Sequence, residues 1–104
     1  MAQTDQNLPG PGQASDKVLI TVVGQDRVGI IARVAVALAD NGINILDLDQ
    51  KVMQGYFVMS LMADMAGAKV DLETLGRLMD DVGRQLGLRI TVQHENIFRS
   101  MHRI

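Results

Sequence analysis

The chain has no cysteine among its 104 residues. That excludes disulfides and thiolate metal sites, and it fits a reducing, cytoplasmic compartment. An excess of one charge is also lacking. The formal net charge is -2 with 21% charged residues, so no sequence-wide basic field attracts nucleic acid or a membrane surface. No apolar run approaches the ~20 residues that span a bilayer. No basic stretch followed by an apolar core marks a signal peptide at the N-terminus. The usual catalytic groupings are missing too. There is no Ser–His–acid set, no phosphate-binding glycine run and no oxyanion-and-water arrangement in the first loop, so no enzyme is expected.

What is present divides sharply near residue 17. Residues 1–16, MAQTDQNLPGPGQASD, hold both prolines, three glutamines and almost no large apolar residue. They read as a disordered leader or an appended remnant. The rest, 17–104, has the length of one domain with a core that needs no covalent staple.

After Lys17 the hydrophobic period switches repeatedly. Lys17–Val23 is an apolar strand. Val28–Asp40 carries Ile30, Ile31, Val34 and Leu38 on one helical face, and Gly42 supplies a left-handed stop. Ile43–Met53 and Tyr56–Asp64 read as strands on either side of Gln54-Gly55. Leu72, Leu75, Met79, Val82 and Leu86 are spaced 3, 4, 3, 4, which predicts an amphipathic helix. Asp71 is its expected N-cap and Gly87 its C-cap. Leu88–His94 alternates again. A two-residue loop at Gln54-Gly55 sets Val52 opposite Phe57, Gln50 opposite Met59, Leu48 opposite Leu61 and Leu46 opposite Ala63. All of these except Gln50 are apolar, and a slip of one residue would mix the faces.

The order βαββαβ, with two right-handed crossovers, gives an antiparallel four-stranded sheet in the order 4-1-3-2. This is the ferredoxin-like α+β sandwich, with two helices on one face. The other face is half polar, carrying Asp47, Asp49, Lys51, Ser60, Thr21, Thr91 and Gln93 among Leu19, Val23 and Met62. The second strand lies at an edge without a proline, which favours a symmetric dimer joined there.

The stretch VLITVVGQDRVGII draws attention as a functional region. A strand that turns through Gln25-Asp26-Arg27 straight into a helix presents free backbone N–H groups to a small anion or carboxylate. Other candidates are weaker. His94 and His102 with Glu95 match no common metal-ligand spacing, so no metal and no cofactor is expected. Asp47 and Asp49 share a strand face with Lys51, the pattern of a solvated face. Asn96–Ile104 has Ile97, Phe98, Met101 and Ile104 on one helical side and reads as a short docking helix.

GQDRVGII after a strand, followed by NGINILDLDQ, resembles the ACT domain, a small ligand-binding regulatory module. The hairpin MQGYFVMSLMAD and the ending VQHENIFRSMHRI extend the likeness to small stand-alone proteins of that family. The resemblance implies amino-acid binding where the first turn of one subunit meets the second strand of its neighbour. Carried onto this sequence, it selects Gly24, Gln25, Asp26, Arg27, Val28, Gly29 and Ile30, with Asn44, Ile45 and Leu46 across the interface. Val28 stands where many such modules have proline.

The residues leave alternatives open. Asp26 is either a plain helix N-cap, accepting from the amide near Gly29, or a ligand contact. Gly24 and Gly29 serve tight packing or close approach of a ligand. Asn44 belongs to a turn or reads both ends of an amino acid. Arg27 is solvated or clamps a carboxylate. Two functions follow. One is an amino-acid sensor that modulates a regulated enzyme or regulator protein from a homodimer. The other is a dimerisation or interaction module that needs no ligand.

Overall fold

The computed structural model describes residues 16–96. Residues 1–15 of the predicted leader at 1–16, and the predicted terminal helix beyond Asn96, lie outside the described residues. Six elements follow in the expected order: β1 (Lys17–Gln25), α1 (Ile30–Asp40), β2 (Asn44–Met53), β3 (Tyr56–Asp64), α2 (Leu72–Leu86) and β4 (Leu88–His94). The strands form one antiparallel sheet in the order β2-β3-β1-β4.

The core lies on one face of that sheet. Val18, Ile20 and Val22 of β1 alternate inward beside Phe57, Met59, Leu61 and Ala63 of β3 and Leu88 and Ile90 of β4. Ile30, Val34 and Leu38 from α1, and Leu75, Met79 and Val82 from α2, cover them. Each large side chain buried this way contributes roughly 1.5–3 kcal/mol relative to exposure. The predicted stripe of α2 holds except at its first position. Leu72 begins the helix and stays 37% exposed. Asp71 caps α2 by accepting from the Thr74 amide at 2.8 Å, and Gly87 ends it at φ 69°.

The β2–β3 turn has Gln54 at φ 53° and Gly55 at φ 84°. Both are left-handed, as a type I′ turn requires. Val52↔Phe57, Gln50↔Met59 and Leu48↔Leu61 pair as expected. The pairing of Leu46 with Ala63 does not form. A β-bulge shifts the register, so Ile45 faces Ala63 and Leu46 leaves the ladder, 44% exposed. Ile45 and Leu48 are three residues apart and cannot share a face of a regular strand. One extra residue between them lets both turn towards the helices. The opposite sheet face carries the mixed residues predicted for it, and the Thr21 and Thr91 hydroxyls hydrogen-bond across β1 and β4.

Candidate functional site

β1 delivers the chain into a short turn that is fastened on two sides. Gly24 sits where a Cβ would come within 2.5 Å of Leu88 Cδ2 and 3.2 Å of the Gly87 carbonyl oxygen, so the strand end packs directly on the α2–β4 junction. The Asp26 amide then donates to the Gly55 carbonyl at 3.0 Å, tying the turn to the β2–β3 hairpin. From the other side, Arg27 Nη1 donates to the Leu86 carbonyl at 2.7 Å. This cation stands at the C-terminal end of α2, where the helix dipole favours it. Arg27 is therefore neither simply solvated nor free of the fold.

The start of α1 differs from the sequence expectation. Asp26 is not its N-cap. Gly29 occupies that position in the left-handed conformation, at φ 91° and ψ 4°, and no side chain caps the helix. The Gly29 carbonyl receives the Arg33 amide at 2.9 Å. The left-handed step at Gly29 delays the helix to Ile30, which leaves Asp26 a full turn too early to reach its amides. The first turn of α1 thus has neither a capping oxygen nor an acidic side chain.

An open cavity of about 340 Å³ lies against this uncapped turn, lined by Asp26, Arg27, Gly29, Ile30, Ile31, Ala32, Gln50 and Phe57. Four of the predicted residues, Asp26, Arg27, Gly29 and Ile30, meet there. Gly24 and Gln25 stand behind the turn at the end of β1, and Val28 points outward with 102% exposure. Asn44, Ile45 and Leu46 are not brought to the cavity within one chain. They begin β2 away from the hairpin turn, and Asn44, opposite Asp64, is seven β3 positions from the Val52–Phe57 pair, or about 24 Å along the strands.

Ile31 and Ala32, which follow the predicted turn in the first turn of α1, and Gln50 and Phe57, from the hairpin, are the additions that sequence reasoning missed. Gln50 had a signal. It is the one polar residue in the inward row of β2, facing Met59 among apolar pairs. Phe57 is nearly buried and still lines the cavity. A larger open groove, about 610 Å³, runs along α2 and β4 between Asp80, Arg84, Gly87, Leu88, Arg89, Ile90 and Thr91. It has no uncapped helix start, and its Arg84 is already paired with Asp81. The smaller first-turn cavity has the stronger chemistry. Among the described residues no three His, Asp or Glu side chains converge as metal ligands, and no helix is long and apolar enough to cross a membrane.

This sheet, with two helices on one face and a glycine-bearing turn between β1 and α1, is a ferredoxin-like α+β sandwich. Residues 16–93 match the ACT domain family, and the chain belongs to it. A UPF0237 protein of Methanocaldococcus jannaschii is 46% identical over 88 residues, which is 85% of this chain and 98% of that protein. The solved structure of an ACT domain protein from Streptococcus pneumoniae superposes with a TM-score of 0.72 at 36% identity, covering 81% of this chain and 94% of the other. A formyltetrahydrofolate deformylase from Pseudomonas syringae pv. tomato shares the fold at 22% identity and a TM-score of 0.69. The match covers 88% of this chain and only 31% of that enzyme.

Proposed function

We propose that this ACT domain is a regulatory module that senses an α-amino acid at the first-turn cavity, in a homodimer. One observation carries the reading. An uncapped helix start, a cation, an anion and one amide side chain surround a single open cavity. The free amides at the start of α1 and the Arg27 guanidinium suit a carboxylate. Asp26 suits the ammonium group of the same molecule, and Gln50 can donate or accept beside them. Ile30, Ile31 and Phe57 offer the ligand's side chain an apolar wall. Gly24 and Gln25 hold the turn in place, and Val28 forms its outer rim.

A second copy completes the site in this reading. β2 is an edge strand. An antiparallel β2–β2 pairing centred on Asp47 would set Asn44 of one copy opposite Gln50 of the other. Asn44, Ile45 and Leu46, distant within one chain, then approach the neighbour's cavity. A ligand bridging two copies changes dimer geometry only through differential affinity for two states, and a regulated enzyme or regulator protein reads that change.

Thermal unfolding against a panel of L-amino acids at millimolar concentration tests the proposal. Ligand at a hundred times its dissociation constant adds about 2.7 kcal/mol. In a domain of this size that raises the midpoint by on the order of 10 °C. A selective rise that disappears in Gln50→Leu is the expected result. A flat panel overturns the sensing function and favours the second reading, a ligand-independent dimerisation module. That reading has its own support in the β2 edge, unpaired among the described residues, and the exposed Leu46 and Val52 on it.

A further inference from the structure

The hydrogen bond between Arg27 and Leu86 spans 59 positions of sequence and joins the cavity to the far end of the second helix. Arg27 also lines the cavity, so one side chain touches both places. We infer that Arg27 is a two-position latch, which releases the C-terminal end of α2 when an anionic group occupies the first-turn cavity. The inference rests on the amino-acid reading above and adds the route by which occupancy leaves the site.

The chemistry of the two acceptors favours exchange. Leu86 is the last residue of α2, so its carbonyl is among those a helix leaves without an intrahelical donor. Arg27 fills that need at an exposed position. A backbone carbonyl offers a guanidinium one uncharged oxygen, whereas a carboxylate offers two charged oxygens and a bidentate geometry. An anion in the cavity therefore competes for Arg27 on favourable terms.

The end of α2 is also tightly connected to its surroundings. Gly87 and Leu88 lie against Gly24, too close to admit a Cβ there. Arg33 of α1 hydrogen-bonds Gln85 in the same last turn. Loss of the Arg27 bond is thus felt at Gln85–Leu88, which borders the open groove along α2 and β4. A static cap would hold α2 equally with the cavity full or empty. A latch would not.

Amide hydrogen exchange on the full chain separates the two. The probe is an equimolar mixture of the L-amino acids at millimolar concentration, with exchange followed at 27–32 and 84–88. In the native sequence the mixture should slow exchange at 27–32 and speed it at 84–88 by roughly tenfold, the scale set by one charge-assisted hydrogen bond. Arg27→Gln should exchange fast at 84–88 without any amino acid and show no further response. Protection at 27–32 with unchanged or slower exchange at 84–88 overturns the latch and leaves amino-acid sensing standing. Silence at 27–32 defeats the sensing reading instead. A double-mutant cycle of Gly29→Ala with Arg27→Gln then decides the latch, read at 84–88. Non-additive exchange supports coupling through Arg27, and additive exchange overturns it.

Discussion

Gly29 concentrates the design of the first turn in one residue. Its left-handed backbone sets the start of α1, and a Cβ built there meets nothing within 4 Å. The cost of Gly29→Ala is therefore conformational rather than steric, about 1 kcal/mol. The melting midpoint should fall by about 4–8 °C. Gln50 behaves in the opposite way. It is exposed, and its neighbours in the inward row of β2 are apolar. Gln50→Leu should leave stability within about 0.5 kcal/mol of the parent while abolishing any amino-acid-dependent rise in midpoint. Asp71 gives a pH signature. Hydrogen bonding from Thr74, by its hydroxyl and then its amide, with Arg77 nearby, holds the Asp71 carboxyl below its ordinary pKa. A depressed folded-state value stabilises the fold above the unfolded pKa, and that gain is lost as pH falls through the folded one. Asp71→Ala should therefore melt below the parent at neutral pH, and the gap should close in acid, as followed by circular dichroism.

At the scale of elements, legibility in the sequence followed the strength of the side-chain signal. α2 was readable from end to end because its apolar spacing, its Asp71 cap and its Gly87 stop all agree. Met79→Ala, which removes a fully buried side chain from that helix, should cost about 2–5 kcal/mol in chemical denaturation. The hairpin register was readable over the positions nearest the turn, where one apolar row is unambiguous. It failed at Leu46 because Ile45, Leu46 and Leu48 are all apolar and alternation alone favours the wrong pair. The bulge is decided by what the helices can cover, which is a tertiary demand. The start of α1 was misread for a related reason. A left-handed glycine cap has no side chain to advertise it, whereas Asp26 looks like a cap and is not one. The candidate cavity was half legible. Its turn could be read from the strand–turn–helix pattern, but Gln50 and Phe57 arrive through sheet order, which no local pattern carries.

At the scale of the whole molecule, the order β2-β3-β1-β4 leaves β2 and β4 with outer edges unpaired among the described residues. Unprotected edges invite pairing, and β2 tempers its own with Asp47, Asp49 and Lys51 on the open face. Self-association through β2 is best tested at Leu46, which the bulge turns outward. Leu46→Glu should weaken the proposed dimer, measured as a lower mass by light scattering, with little change in monomer stability. An unchanged mass would move the joint to another surface. Ile45→Lys is the poorer test, because Ile45 packs against the core opposite Ala63 and its loss would destabilise the monomer itself.

The bond from the Asp26 amide to Gly55 also sets a sequence of events in time. A two-residue turn closes on the microsecond scale. The β1–β4 ladder that supports the other side of the same loop joins residues as far apart as Thr21 and Thr91 and must wait for long-range closure. The hairpin is thus the early partner and β1 the late one, so the first turn is docked near the end of folding. Run backwards, local opening undocks the turn before it disturbs the hairpin. In native-state exchange the Asp26 amide should exchange ahead of the β3 amides, and the proposed amino-acid binding would be lost at denaturant concentrations where the sheet is still intact.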